Sequence, residues 1–245
     1  MNGIICGSSK GIGFGIAKVL YEKKHRIVLN SRSEENLKKA SKLLKNTPYI
    51  VADLNIEKER EELIFKGIKL LKKIDFIIIN TGGPPKGDFF STDLKSYDFA
   101  YNSLLKSTIH LIKLLIDHFI KNNFGRIVII SSVAAREPIE DLILSNTFRA
   151  ALFGFVKTFS KEVAKHNINC NIIMPGYVDT ERIRQLVKKV NLEKFKKEIA
   201  KNVPIGRLIE PKEIGYLVSY LISKEASAIT GTSIPFDGGF LKSIP

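Results

Sequence analysis

The residues most able to do chemistry stand close to the start of the chain. "CGSSKGIGFGIAKVL" spans residues 6–20 and carries Gly7, Gly11 and Gly13. It follows a short apolar run and opens a helical pattern. Glycine there permits positive φ and lets a pyrophosphate approach the backbone. The start of the helix adds free N–H groups and a positive dipole end. The chemistry this predicts is dinucleotide binding, with Gly7, Ser9, Lys10, Gly11, Ile12 and Gly13 as contacts. Other reactive side chains are scattered. Cys6 and Cys170 are isolated in apolar runs and are expected to be buried, reduced thiols. His110, His118 and His166 lie in helical patterns and His25 in a turn, so ordinary packing or surface roles are expected for all four. No metal site is expected.

The elements that must hold this turn can be read from periodicity. Residues 3–6, 26–30, 49–52, 75–80, 126–131, 168–174 and 233–236 are short runs rich in Ile and Val, apolar at consecutive positions. That pattern suits parallel strands buried on both faces. Helical patterns at 11–23, 33–45, 57–72, 94–121, 145–165 and 211–223 alternate with them. The alternation predicts an α/β fold, a single Rossmann-like doubly wound parallel sheet of about seven strands flanked by helices. No repeat or linker divides it, so residues 1–245 are expected to form one domain. Two stretches interrupt the rhythm: a loop at 81–93 containing "GGPPKG", and a basic insertion at about 177–205.

The spacing Gly-x-x-x-Gly-x-Gly is similar to the glycine motif of the short-chain dehydrogenase/reductase family, with Cys6 in place of the usual threonine. The resemblance extends along nearly the whole chain. "ADL" at 52–54 resembles the element that caps the adenine, which implies contacts from Asp53 and Leu54. "NTGG" at 80–83 resembles the family's Asn-Asn-Ala-Gly element, with Asn80 retained and Gly82 beside the cofactor. Asn102 stands where the family places a helix asparagine. "PGYVDT" at 175–180 resembles the Pro-Gly turn, which implies that Pro175, Gly176, the backbone near Val178 and the Thr180 hydroxyl hold the nicotinamide amide. "DGG" at 237–239 resembles the C-terminal signature. NAD-selective members end strand two with a carboxylate on the ribose hydroxyls. Here that end reads "LNSR", ending in Ser31 and Arg32. Arg32 can fork onto a 2′-phosphate and Lys10 can add a second charge, so NADP(H) is favoured over NAD(H).

The family's catalytic tyrosine is missing. The resemblance places a carbonyl-polarising serine at Ser132 and the tyrosine thirteen residues on, which is Ser145. The lysine position, four further, is Arg149, expected to hold the cofactor ribose. A phenol titrates near 10 and a neighbouring cation can lower it, whereas a serine hydroxyl is a far weaker acid. A guanidinium stays charged and relays no proton. Tyr97, Tyr101, Arg136, Glu137 and Tyr177 are candidate substitutes, with Tyr177 first because it follows the Pro-Gly turn. Asn102 either holds a water near the site or repairs a helix bulge. "REPIEDLILSNTFRAAL" with "GGPP" also resembles a β-ketoacyl-carrier-protein-reductase-like subgroup that departs from the catalytic tetrad in this same place. The expected activity is an NADP(H)-dependent oxidoreductase acting on a small carbonyl or alcohol. The alternative is a non-catalytic NADP(H)-binding sensor or scaffold on the same fold.

The net charge is +14, with Lys and Arg totalling 39 of 245 residues. It permits nucleic acid or anionic partners, but lysines are spread over most helices beside glutamates, and no aromatic–basic interleaving or DNA-reading motif is present. A solvated basic surface and no nucleic-acid partner are therefore expected. The chain shows no leader, and no apolar run reaches the ~18 residues of a membrane span, so a cytoplasmic protein is expected. Heavy Ile, Lys and Glu with no Trp is a composition met in thermophiles. Apolar stripes in 94–121 and 145–165 predict a homo-oligomer, dimer or tetramer, built on these helices as in the family. Residues 180–204 match the family's substrate loop and are expected to form a helical flap over the cofactor.

Overall fold

A computed structural model describes the backbone of residues 1–181 and 192–244, and the side chains of the same residues except 192–196. Seven strands form one parallel sheet in the order β3-β2-β1-β4-β5-β6-β7. They are β1 (Asn2–Ile5), β2 (Arg26–Ser31), β3 (Tyr49–Val51), β4 (Phe76–Asn80), β5 (Gly125–Ile130), β6 (Ile168–Pro175) and β7 (Ser233–Phe236). The helices are α1 (Gly11–Glu22), α2 (Glu34–Leu43), α3 (Glu57–Leu71), α4 (Leu94–Ala100), α5 (Ser107–Lys121), α6 (Ile143–Val163), α7 (Leu192–Lys201) and α8 (Pro211–Ile222).

Strand side chains alternate between two cores. Ile77, Ile79, Ile127 and Ile129 face a cluster with Leu63 of α3, Leu111 and Leu115 of α5, and Leu152 and Val156 of α6. Ile78, Val128 and Ile130 face the other side, with Ile16 and Leu20 of α1, Leu37 of α2, and Ile214 and Val218 of α8. Both faces of each central strand are thus buried, which is why the strands read as unbroken apolar runs. The chain builds β1 to β3 outward in one direction and β4 to β7 in the other. The switch point lies between β1 and β4, and a crevice opens there beyond the carboxyl ends of the strands.

The helix expected over 94–121 is present but not uniform. Between α4 and α5, Tyr101–Lys106 form a π-helical turn. Wide turns of this kind are common at functional sites. Just beyond it Ser107 and Thr108 donate back to the carbonyls of Ser103 (2.7 Å) and Leu104 (2.8 Å). The apolar stripe continues through the bulge, so periodicity does not reveal it. Of the basic insertion, residues 182–191 lie outside the described residues. Arg182, Arg184, Lys188 and Lys189 of the expected flap fall in that stretch. Residues 192–201 are helical, as the pattern predicts.

Candidate active site

The glycine turn is fixed from three strands. Gly7 has φ +57, a value natural to glycine. A Cβ at Gly13 would overlap the Gly7 carbonyl oxygen, so α1 can approach the turn only without one. Asn80, at the end of β4, donates from Nδ2 to the Gly7 carbonyl at 3.0 Å. Ser8 is fully buried. Its hydroxyl donates to Ile5 O (2.7 Å) and accepts from the Asn30 backbone (3.0 Å). The Asn30 amide in turn donates to the carbonyls of Ile50 (3.2 Å) and Ala52 (3.1 Å). Sequence reasoning passed over Ser8 and Asn30. The one available signal was Asn30, a polar residue inside a buried strand; Ser8 lies in the turn after β1.

These bonds frame a cleft of about 240 Å³ lined by Gly7, Ser31, Arg32, Asp53, Leu54 and Gly82, among others. Arg32 is exposed there and has no ion pair among the described residues. The Ser9 and Ser31 hydroxyls bond to each other at 3.0 Å. The loop after β3 is rigid. Asp53 accepts from both the backbone and the side chain of Asn55 (2.9 and 2.8 Å), and its own N–H donates to Glu59 (2.6 Å). The Leu54 carbonyl accepts from Arg60 at 2.5 Å. Asn102 sits in the π-helical turn and donates to the Asn55 carbonyl at 2.8 Å. Its amide therefore ties that helix to the loop after β3. Lys10 pairs with Glu181 at 3.1 Å.

At the other end of the crevice, Pro175 closes β6, and the Gly176 N–H donates to Phe236 O at 3.1 Å. Val178 forms a parallel bridge with Ile209 through the Tyr177 carbonyl and the Asp179 N–H. That bridge leaves Val178's own N–H and carbonyl pointing the opposite way. The Thr180 side chain lies against Gly11.

Ser132 caps the short turn Val133–Ala135, its Oγ accepting from the Ala134 N–H at 3.2 Å. Its hydroxyl hydrogen is not used by that bond. The preceding Ser131 hydroxyl is buried and has no hydrogen-bond partner among the described residues. By alternation it continues the face of Ile127 and Ile129, toward α6. Ser145 and Arg149 stand four apart on α6, so their side chains meet. Both are buried. Arg149 Nε donates to Ser145 Oγ at 3.2 Å, and Nη1 donates to the Ile130 carbonyl at 3.2 Å. The guanidinium is thereby drawn to the end of β5.

The tyrosines separate. Tyr97 and Tyr101 both pack on Phe148, with centroids 6.4 and 6.2 Å away. Tyr177 is half-buried, edge-on to Phe240 at 5.2 Å. Asn146, absent from the sequence reading, clamps the loop that follows Ser132. It accepts from Ile139 N (3.3 Å) and donates to Ile139 O (2.9 Å). Gly87 of the "GGPPKG" loop pairs with the same loop at Asp141 and Ile143. Both thiols are free and fully buried. Burial pushes Cys6 up to about 12 and pushes Cys170 up as well, so neither is a nucleophile at neutral pH.

Among the described residues one trio, Glu57, Glu61 and His110, brings possible metal-ligand atoms within 4.8 Å of one another. His110 Nδ1 already accepts from Arg60 Nε at 3.0 Å, so a neutral ring keeps its proton on Nε2 and offers no free lone pair. Glu57 also pairs with Lys106 at 3.2 Å. The trio is an ion-pair network. No helix among the described residues is long and apolar enough to cross a membrane.

A family model described as enoyl-(acyl carrier protein) reductase matches residues 7–241. The NADPH-dependent reductase BacG of Bacillus subtilis is 29% identical over 98% of this chain and 97% of its own length. The 3-oxoacyl-[acyl-carrier-protein] reductase FabG of Rickettsia conorii is 31% identical over 97% and 95%. The crystal structure of YwfH, an NADPH-dependent reductase involved in bacilysin biosynthesis, superposes with a TM-score of 0.93. It is 29% identical and is covered, like this chain, to 99%.

Proposed function

Because the chain belongs to the short-chain dehydrogenase/reductase family, we propose that it is an NADP(H)-dependent oxidoreductase that transfers hydride to or from a small carbonyl or alcohol, with Ser145 and Arg149 in place of the usual tyrosine and lysine. The observation that carries the chemistry is the buried Ser145–Arg149 pair beside the end of β5. Arg149 donates to a Ser145 lone pair, which leaves the serine hydrogen available as a polarised donor. A second hydroxyl donor stands at Ser132. A carbonyl oxygen that accepted from both would have its developing negative charge stabilised as in an oxyanion hole. Neither serine nor guanidinium is an acid able to deliver the proton at neutral pH, so water or the Tyr177 phenol supplies it.

The residues present suit the cofactor. The Gly7–Gly13 turn would hold the pyrophosphate, Arg32 a 2′-phosphate, Asp53 and Leu54 the adenine. The Val178 backbone and Thr180 would hold the carboxamide, with the Arg149 fork near the ribose. The cofactor supplies the hydride when bound. A curated relative and a solved structure, each described as an NADPH-dependent reductase, support the nucleotide assigned here. We also propose a homo-oligomer of cytoplasmic setting, where two unpaired thiols stay reduced.

The test is loss of NADPH absorbance across a panel of small ketones, aldehydes and enones. Slow turnover is expected for at least one, falling about 10²-fold in Ser145→Ala with NADPH affinity held. Tight NADPH binding with no turnover on any member, and none restored by change of pH, would overturn the enzymatic reading in favour of a cofactor-binding protein.

A further inference from the structure

Lys10 stands at a fork. On one side its neighbour Ser9 is bonded to Ser31 at the end of β2, beside the exposed and unpaired Arg32. On the other side its neighbour Gly11 lies against Thr180. The Lys10 ammonium takes the second direction and pairs with Glu181 at 3.1 Å. The side chain is 56% exposed and carries four methylenes, so nothing in its packing prevents a swing toward Arg32. Two acceptors therefore compete for one cation. The Glu181 carboxylate is always present. A 2′-phosphate arrives only with NADP(H).

Building on the NADP(H) reading above, we infer that Glu181 is a cofactor-specificity-determining residue, which holds Lys10 away from the 2′-phosphate and so sets how strongly NADPH is preferred over NADH. Binding of NADPH requires the Lys10–Glu181 pair to open before both cations reach the phosphate. Binding of NADH leaves the pair closed, because its ribose hydroxyls offer Lys10 no competing anion. The two cofactors thus leave Glu181 in different states. Both partners are more than half exposed, so the pair is weak, and holding it closed costs NADPH affinity only about two- to fivefold.

The experiment measures dissociation constants for NADPH, NADH, 2′,5′-ADP and 5′-AMP at low ionic strength. The proteins are the native form, Glu181→Gln, Lys10→Met and the double variant. Glu181→Gln is expected to tighten NADPH and 2′,5′-ADP by about two- to fivefold and to leave NADH and 5′-AMP unchanged. The gain should vanish in the Lys10→Met background and shrink as salt is raised. Equal tightening of all four ligands would show a general charge effect and overturn the inference, as would no tightening or a gain that survives Lys10→Met. Native protein that binds NADPH and NADH equally would instead sink the NADP(H) reading beneath it.

Discussion

At the scale of the residue, the proposed chemistry rests on Ser145 and Arg149, the pair that would replace tyrosine and lysine. Ser145 is buried and within 3.2 Å of Arg149 Nε, so a larger side chain at 145 meets the guanidinium first. The double change Ser145→Tyr with Arg149→Lys shortens the cation as it adds the phenol, and it restores a group that a nearby ammonium can bring toward neutrality. A positioned general acid is worth about 10²–10⁴ in rate, so at least a tenfold gain in NADPH oxidation with generic ketones is expected. A fall would show that the surrounding walls are built for the serine. Tyr177→Phe tests the proton source separately. An unchanged rate would assign that step to water, whereas a drop of about tenfold or more would assign it to the phenol. The Ser145–Arg149 contact was within reach of the sequence, since spacing four on a helix makes neighbours. The Asn30–Ser8 and Asn146–Ile139 clamps were not. Each joins segments whose proximity depends on strand order or on the path of an irregular loop.

At the scale of the element, two carboxylates fold the C-terminal segment back on the site. Asp237 accepts from the backbones of Gly239 (3.0 Å) and Leu241 (2.9 Å), and Glu137 accepts from those of Lys242 (2.8 Å) and Ser243 (2.5 Å). Glu137 lies five residues past Ser132, so the tail is hung from the loop that follows this serine. Hydrogen bonds from Ser243, then from Lys242, hold the Glu137 carboxyl below its ordinary range. A carboxyl depressed in the folded protein stabilises the attachment at pH above its unfolded value, about 4.3, and loses that contribution as pH falls through the folded value. Carboxypeptidase should therefore trim the tail slowly at neutral pH and faster below about pH 4. Glu137→Leu should trim fast throughout, and equal rates for the two proteins at neutral pH would refute the anchoring role. Elements of this size were the most legible part of the sequence. Every strand expected from an Ile/Val run is present within a residue or two, because strands buried on both faces carry no competing polar pattern. The π-helical turn at 101–106 is not read from periodicity, and the resemblance at Asn102 offers a helix bulge there only as one of two readings.

At the scale of the molecule, α6 presents a face that its own sheet does not use. Leu144, Leu152 and Val156 turn inward, while Ala150, Ala151 and Gly154 are exposed. Nothing lies within 4 Å of the position where a Cβ on Gly154 would stand. Phe155 and Phe159 stack at 5.4 Å and are only partly buried beside this face. Small residues in a row allow a second helix to approach to 8–10 Å, and flanking aromatics give it apolar surface to cover. On a two-fold axis the same face meets itself, so one patch is enough for a dimer, and a second pair of contacts makes a tetramer. The abundant positive charge works against association, so the gain must come from burial and not from long-range attraction. Light scattering at micromolar concentration should give a mass of two or four chains. Gly154→Gln adds a flexible polar side chain to the face without touching the core. It should lower that mass while leaving NADPH affinity within about twofold, since no cofactor contact lies on this side of α6. A native monomer would rule out association. A Gly154→Gln protein of unchanged mass would move the interface elsewhere, toward the exposed Tyr216 and Tyr220 on α8.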